Sequence, residues 1–118
     1  SLAIARTLAE AISDSIFLLD DKQKSQLHLA AVFANNFTNH LYKIAQFLLD
    51  EKGIPFEILL PLIFDTAAKL QDSPPLANQT GPAIRHDYKT MSKHLNMLHD
   101  QKLKQLYQLL SESIQGLG

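Results

Sequence analysis

The chain has 118 residues, 46% of them hydrophobic, and a formal net charge of −1. That length makes one domain, or one domain with a fragment of another, and it buries roughly two-thirds of its unfolded surface without needing a disulfide. The scattered, nearly balanced charge argues against a nucleic-acid surface or a polybasic membrane anchor, and the absence of cysteine removes thiol chemistry and fits a cytoplasmic protein.

The start, SLAIARTLAEAISDS, carries acids and lacks the long apolar run of a signal peptide. Leu2, Ile4, Leu8, Ala11 and Ile12 recur at helical spacing and predict an amphipathic helix over residues 2–13. Ile16, Phe17, Leu18 and Leu19 form a short apolar run between polar residues, which predicts a buried strand. One strand cannot satisfy its own backbone groups, so it pairs with another copy or belongs to a sheet outside this sequence. Helix followed by strand closes an α/β unit. Residues 1–20 are therefore expected to be the tail of an upstream domain, and residues 21–118 a helical domain.

Asp20 or Asp21 can cap the next helix, which runs to about Lys52, where Gly53 and Pro55 stop it. At on the order of 30 residues it is about 45 Å long and should be the centre of an all-α bundle. PFEILLPLIFDTAAKLQ follows as a helix in which Pro61 is expected to cause a kink near Glu57. DSPPLANQTGPAIRHD reads as an irregular stretch. Asp87 then caps YKTMSKHLNMLH, with Tyr88, Met91, Leu95 and Leu98 on one side. Asp100 can cap the last helix, whose Leu103, Leu106, Leu110 and Ile114 form a packing stripe.

The long helix carries no charge from Ser25 to Tyr42, yet it holds Asn35, Asn36, Asn39, His28 and His40. Three Asn, two His and a Gln would be costly in lipid, which excludes a membrane span. At 100° per residue from His28, Asn35 falls at about −20°, Asn39 at about +20°, Val32 at about +40° and Asn36 at about +80°. Phe33, Phe37, Leu41, Ile44 and Leu48 gather on the opposite side. The polar residues thus form one uncharged stripe. Asn is a poor helix former, costing roughly 0.5 kcal/mol relative to Ala. The amides serve structural hydrogen bonding, in the bundle or at an interface, or a ligand cleft, or they merely face solvent.

No glycine-rich phosphate loop, HExxH zinc motif or spaced Ser–His–Asp set occurs, and no two of His28, His40, His86, His94 and His99 stand at i,i+4, so no metal site is expected. The stretch NQTGPAIRHD offers a hydroxyl at Thr80, close backbone approach at Gly81 and a carboxylate or phosphate fork at Arg85. It also reads as a plain helix connection in which Asp87 is a cap and Arg85 a surface charge.

HLAAVFANNF and TGPAIRHD, in this order, resemble the helical C-terminal domain of Rossmann-like NAD(P)-dependent oxidoreductases related to pyrroline-5-carboxylate reductase. That helical domain is shared with 6-phosphogluconate and β-hydroxyacid dehydrogenases. The matching positions are His28, Val32, Phe33, Asn35, Asn36, Thr80, Gly81, Pro82, Arg85 and Asp87. The resemblance implies that residues 1–20 end a nucleotide domain whose phosphate turn lies upstream. It also implies an NADP or NAD cofactor bound mainly outside this chain, a small-molecule substrate and a homodimer formed through the helical domain. His28 and Asn36 are the implied catalytic residues; Asn35, Thr80, Gly81 and Arg85 are the implied substrate contacts. Two positions depart from the pattern. Val32 stands where β-hydroxyacid dehydrogenases carry a catalytic Lys, and His86 stands where relatives usually have Gly. The competing expectation is a non-enzymatic helical interaction module with structurally buried asparagines.

Overall fold

The computed structural model describes residues 18–117, and these are helical and irregular, with no strand among them. The expected helix over residues 2–13, and Ile16 and Phe17 of the expected strand, lie outside the described residues. Leu18 is in a turn and Leu19 is irregular. The chain divides into two units, Ser1–Ile58 and Leu59–Gly118.

In the first unit Asp20 is the N-cap of helix α1, Asp21–Ala31. Its carboxylate accepts from the Gln23 N–H at 2.8 Å, and the Gln23 amide oxygen accepts from the Asp20 N–H at 3.1 Å. This reciprocal box satisfies donors that the first helical turn leaves free. The helix then widens into a π-turn over Val32–Phe37 and resumes as α2, Thr38–Asp50. Gly53 adopts φ 67° and the Ile54 N–H reaches back to the Leu49 carbonyl at 3.1 Å, which closes the helix where the Gly-Pro signal placed its stop.

Pro61 does not kink a helix interior. The backbone runs from Pro55 through a 3-10 turn, Phe56–Leu59, and helix α3, Leu60–Lys69, begins only there, with Pro61 in its first turn. A proline is harmless at that place because the first N–H groups have no intrahelical partner anyway. The stretch expected to be irregular contains one helical turn, α4, Pro75–Asn78. It is closed by Ser73 Oγ donating to Asn78 Oδ1 at 2.6 Å and Asn78 Nδ2 donating to the Ser73 carbonyl at 3.2 Å.

Helices α5, Tyr88–Met97, and α6, Gln101–Leu117, complete the second unit. Asp100 accepts from the N–H groups of Lys102 and Leu103 at 2.7 and 3.2 Å. Asp87 accepts from the Thr90 N–H at 3.2 Å and the Thr90 hydroxyl at 2.7 Å. Both caps are the ones their residue types predict. Of the expected stripe on α6, Leu103, Leu106 and Ile114 are half-buried and Leu110 is exposed; polar side chains share the packed side. Ser111 is buried, Gln115 Nε2 donates to the Ala83 carbonyl at 3.1 Å, and the Tyr107 hydroxyl lies 2.8 Å from His94 Nδ1. These three follow one another at i,i+4 on α6, whereas Leu110 is exposed. On α5 Leu98 is buried and Tyr88 is exposed.

Leu98→Ala should therefore destabilise the chain by about 3 kcal/mol through lost burial and a residual cavity. Gln115→Ala should cost about 1 kcal/mol for one lost hydrogen bond. Urea unfolding of both variants measures the difference. A second expectation concerns acid. The hydrogen bonds from Thr90 hold the Asp87 carboxyl below its ordinary value of 3.8, with the charges of Arg85 and His94 helping and partial desolvation opposing. Because the folded value is the lower one, this cap's ionisation stabilises the fold above that pH and loses its effect as pH falls through the folded value. Thermal melts over the acid range should show a smaller loss of stability in Asp87→Asn than in the unaltered chain.

Candidate functional site

The helix of the first unit presents His28, Asn35, Asn36 and Asn39 exposed to solvent. Among the described residues their side chains form no hydrogen bond. Buried asparagines that hold this unit together are therefore not what the structure shows. Nor do these residues form the single straight stripe that an ideal helix gives. His28 lies before the π-turn, Asn35 and Asn36 lie within it, and Asn39 lies beyond it. A π-turn inserts about one extra residue per turn, so positions on either side of it slip by roughly 100° relative to an unbroken α-helix. His28 and Asn39 therefore no longer lie on one line, while Asn39 and Lys43, both within α2, still do.

The π-turn has its own hydrogen-bond pattern. The Thr38 N–H points to the Asn35 carbonyl, three residues back. The Thr38 hydroxyl donates to the Phe33 carbonyl, five residues back, at 3.1 Å. Phe33 and Phe37 stack edge to face, with ring centroids 5.1 Å apart. Thr38 is half-buried, while the amides beside it stand in the open. π-turns are rare and occur often at functional sites.

In the second unit the candidate residues share one loop. Gly81 adopts φ 101°, a conformation only glycine enters readily. The Asp87 N–H bonds the Pro82 carbonyl at 2.9 Å and the His86 N–H bonds the Ala83 carbonyl at 3.1 Å. Ala83 is buried, and its carbonyl also takes the Gln115 amide. These bonds hold a turn that leaves Thr80 and Arg85 exposed and Gly81 half-exposed. His86 adopts φ 54°, a left-handed backbone that favours glycine, and its ring Nδ1 lies 3.0 Å from the Tyr88 hydroxyl.

Sequence reasoning did not find the pair His94 and Tyr107. Their rings meet edge to face at 5.8 Å, and burial, with a smaller effect from the Asp87 charge, raises the Tyr107 hydroxyl above its ordinary value. A phenol made harder to ionise acts here as a hydrogen-bonding clamp between α5 and α6. Thirteen residues separate the two side chains, and neither carries a local signal of pairing.

Among the described residues no helix is long and apolar enough to cross a membrane. No curated protein matches the chain. A solved structure, "putative NADP oxidoreductase BF3122 from Bacteroides fragilis", is 48% identical to it, with a TM-score of 0.80. The match covers 83% of this chain and 38% of that one, so the chain spans well under half of its structural neighbour. The family model that matches, over residues 1–114, is described as a domain of unknown function, and this chain belongs to that family, DUF2520.

Proposed function

We propose that the chain is the substrate-positioning and dimerisation domain of an NAD(P)-dependent oxidoreductase related to pyrroline-5-carboxylate reductase, acting in the cytoplasm. The observation that carries this reading is the 48% identity, at a TM-score of 0.80, to a segment of the Bacteroides fragilis "putative NADP oxidoreductase". The exposed side chains of Asn35, Asn36 and Thr80, within the NNF and TGP motifs, support it.

The described residues do not themselves fit a dinucleotide. A pyrophosphate site needs glycines that let a helix N-terminus approach the phosphates. Gly53 follows a helix and precedes a proline, Gly81 opens a loop turn, and Gly116 lies inside α6. A Cβ at any of the three would meet nothing within 4 Å, so no close approach of protein atoms calls for glycine there. The cofactor, NADP or NAD, is accordingly assigned mainly to another domain of the same protein. The nicotinamide supplies the hydride chemistry, and this chain's residues bind and orient.

In that role the Asn36 and Asn35 amides each donate and accept hydrogen bonds, and the His28 imidazole donates or orients a proton. Val32 has no acid–base group, so no Lys-dependent route is assigned to this helix. In the loop, Thr80 and the Gly81 backbone offer hydrogen bonds, and the exposed Arg85 offers a charged fork for a carboxylate or phosphate. Phe33, Phe37 and Phe47 are 63%, 51% and 57% exposed in a single chain, which favours a second copy over solvent as their neighbour.

In the intact oxidoreductase, Asn36→Ala should lower turnover by on the order of 10²-fold without unfolding the protein, because a misplaced substrate loses near-attack geometry. NADPH oxidation against a panel of small carbonyl and imine compounds, with circular dichroism as the fold control, measures it. An unchanged rate, or a loss of fold in step with activity, would defeat the substrate role. If Arg85 grips an anionic substrate group, Arg85→Ala should raise KM with kcat nearly constant. Separately, Phe47→Asp should move the sedimentation boundary from dimer to monomer. A boundary that stays at the dimer position removes this helix from the interface.

A further inference from the structure

We infer that Thr38 is the positioning residue that holds the π-turn and so sets the direction in which Asn35 and Asn36 point; the catalytic part of this inference rests on the function proposed above. Three observations carry it. First, the turn spans Val32–Phe37, so both amides lie inside the widened segment and Thr38 is the first residue after it. Second, Thr38 serves the turn with both its donors. In an α-helix a threonine hydroxyl bonds the carbonyl three or four residues back. Here it reaches Phe33, five residues back, at 3.1 Å, while the Thr38 N–H is taken by the Asn35 carbonyl. The side chain thus adds a bond of its own across the five-residue span of the turn. Third, Thr38 is half-buried, whereas Asn35, Asn36 and Asn39 are exposed and unpartnered among the described residues. The hydroxyl is committed to the backbone, and the amides are left available.

The consequence is geometric. Without the hydroxyl, the Phe33 carbonyl loses this bond across the turn, which favours return to α register, where the Phe37 N–H serves it. Closing the extra residue of the turn rotates the amides by up to roughly 100° relative to α2. Amides that pointed toward a substrate would then point past it. Serine keeps the donor; valine keeps the shape and removes it.

The test compares Thr38→Val with Thr38→Ser. Two-dimensional NMR of the chain reads the turn through the backbone amides of residues 32–38 and the nuclear Overhauser contacts between residues five apart. The expected result is that Val loses the i,i+5 contacts and shifts the Asn35 and Asn36 amide signals, while Ser retains both. In the intact oxidoreductase, Val should lower kcat by about 10-fold or more and Ser should restore it to within about 2-fold, with circular dichroism unchanged in both. If Val keeps the π-turn, Thr38 does not hold it and the inference is overturned. If the turn collapses while kcat stays constant in a protein that Asn36→Ala impairs, the positioning role is overturned. If Asn36→Ala itself leaves kcat untouched, the function proposed above fails, and the NMR comparison alone then decides whether Thr38 sets the amide direction.

Discussion

A helix directs its side chains through its backbone register, and everything along the first unit depends on where that register changes. Each residue inherits the phase of the one before it, at about 100° per step. The π-turn at Val32–Phe37 resets that phase once, in the middle of a helix that otherwise runs from Asp21 to Asp50. Before it, every residue of α1 is exposed; after it, Ile44, Ala45, Leu48 and Leu49 become half-buried at helical spacing. The change of phase and the change of environment coincide. An unbroken α-helix would keep His28 in line with Asn39 and would spread one polar face along its length. The widened turn breaks that face and gives Asn35 and Asn36 a direction of their own.

The second unit meets a different constraint. Among the described residues it buries few side chains (Ala83, Leu98 and Ser111), so area alone leaves its register weakly specified. Directional hydrogen bonds supply what is missing. Gln115 holds the loop at Ala83, Tyr107 meets His94, and Thr90 closes on Asp87. Two of these pins sit on α6, where Tyr107 and Gln115 are half-buried beside Leu106 and Ile114, while Leu109 and Leu110 are exposed. The loop that carries Thr80, Gly81 and Arg85 is thereby tied to a helix more than thirty residues away in sequence.

Local chemistry was legible in the sequence and distant pairing was not. Asp20, Asp87 and Asp100 cap helices because a carboxylate next to free N–H groups needs no tertiary help. Gly53 ends a helix for an equally local reason. Pro61 was misread because a proline looks alike in a first turn and in an interior turn until the helix start is known, and Leu59 is the residue that decides it. On α6 the periodicity found Leu103, Leu106 and Ile114, which are half-buried, but not the polar side chains of Tyr107, Ser111 and Gln115 beside them, because a period carries no information on hydrogen-bond partners. The π-turn has no period at all; it depends on one hydroxyl reaching one carbonyl, and the Asn-Asn-Phe-Thr sequence reads as ordinary helix. Among the candidate residues of the first unit, the 100° projection placed the polar groups on one line that the backbone does not keep.

The exposure of the amides also bears on why they are there. Asn35, Asn36 and Asn39 each cost roughly 0.5 kcal/mol of helix stability relative to Ala. Buried hydrogen bonding inside the unit would offset that cost, but these side chains are exposed and bond to no described residue. Solvent contact alone would be met more cheaply by Glu, Lys or Gln, which favour helices and add charge. An uncharged group that both donates and accepts is useful where a charge would be costly to desolvate and a hydrogen bond must still be made. That condition holds at a surface about to be covered by a ligand or a second chain. The π-turn points to the same conclusion from the backbone side: a helix that gives up its regular register where its amides are densest does so to aim them. Cost, neutrality and direction together argue for a partner lying off this helix.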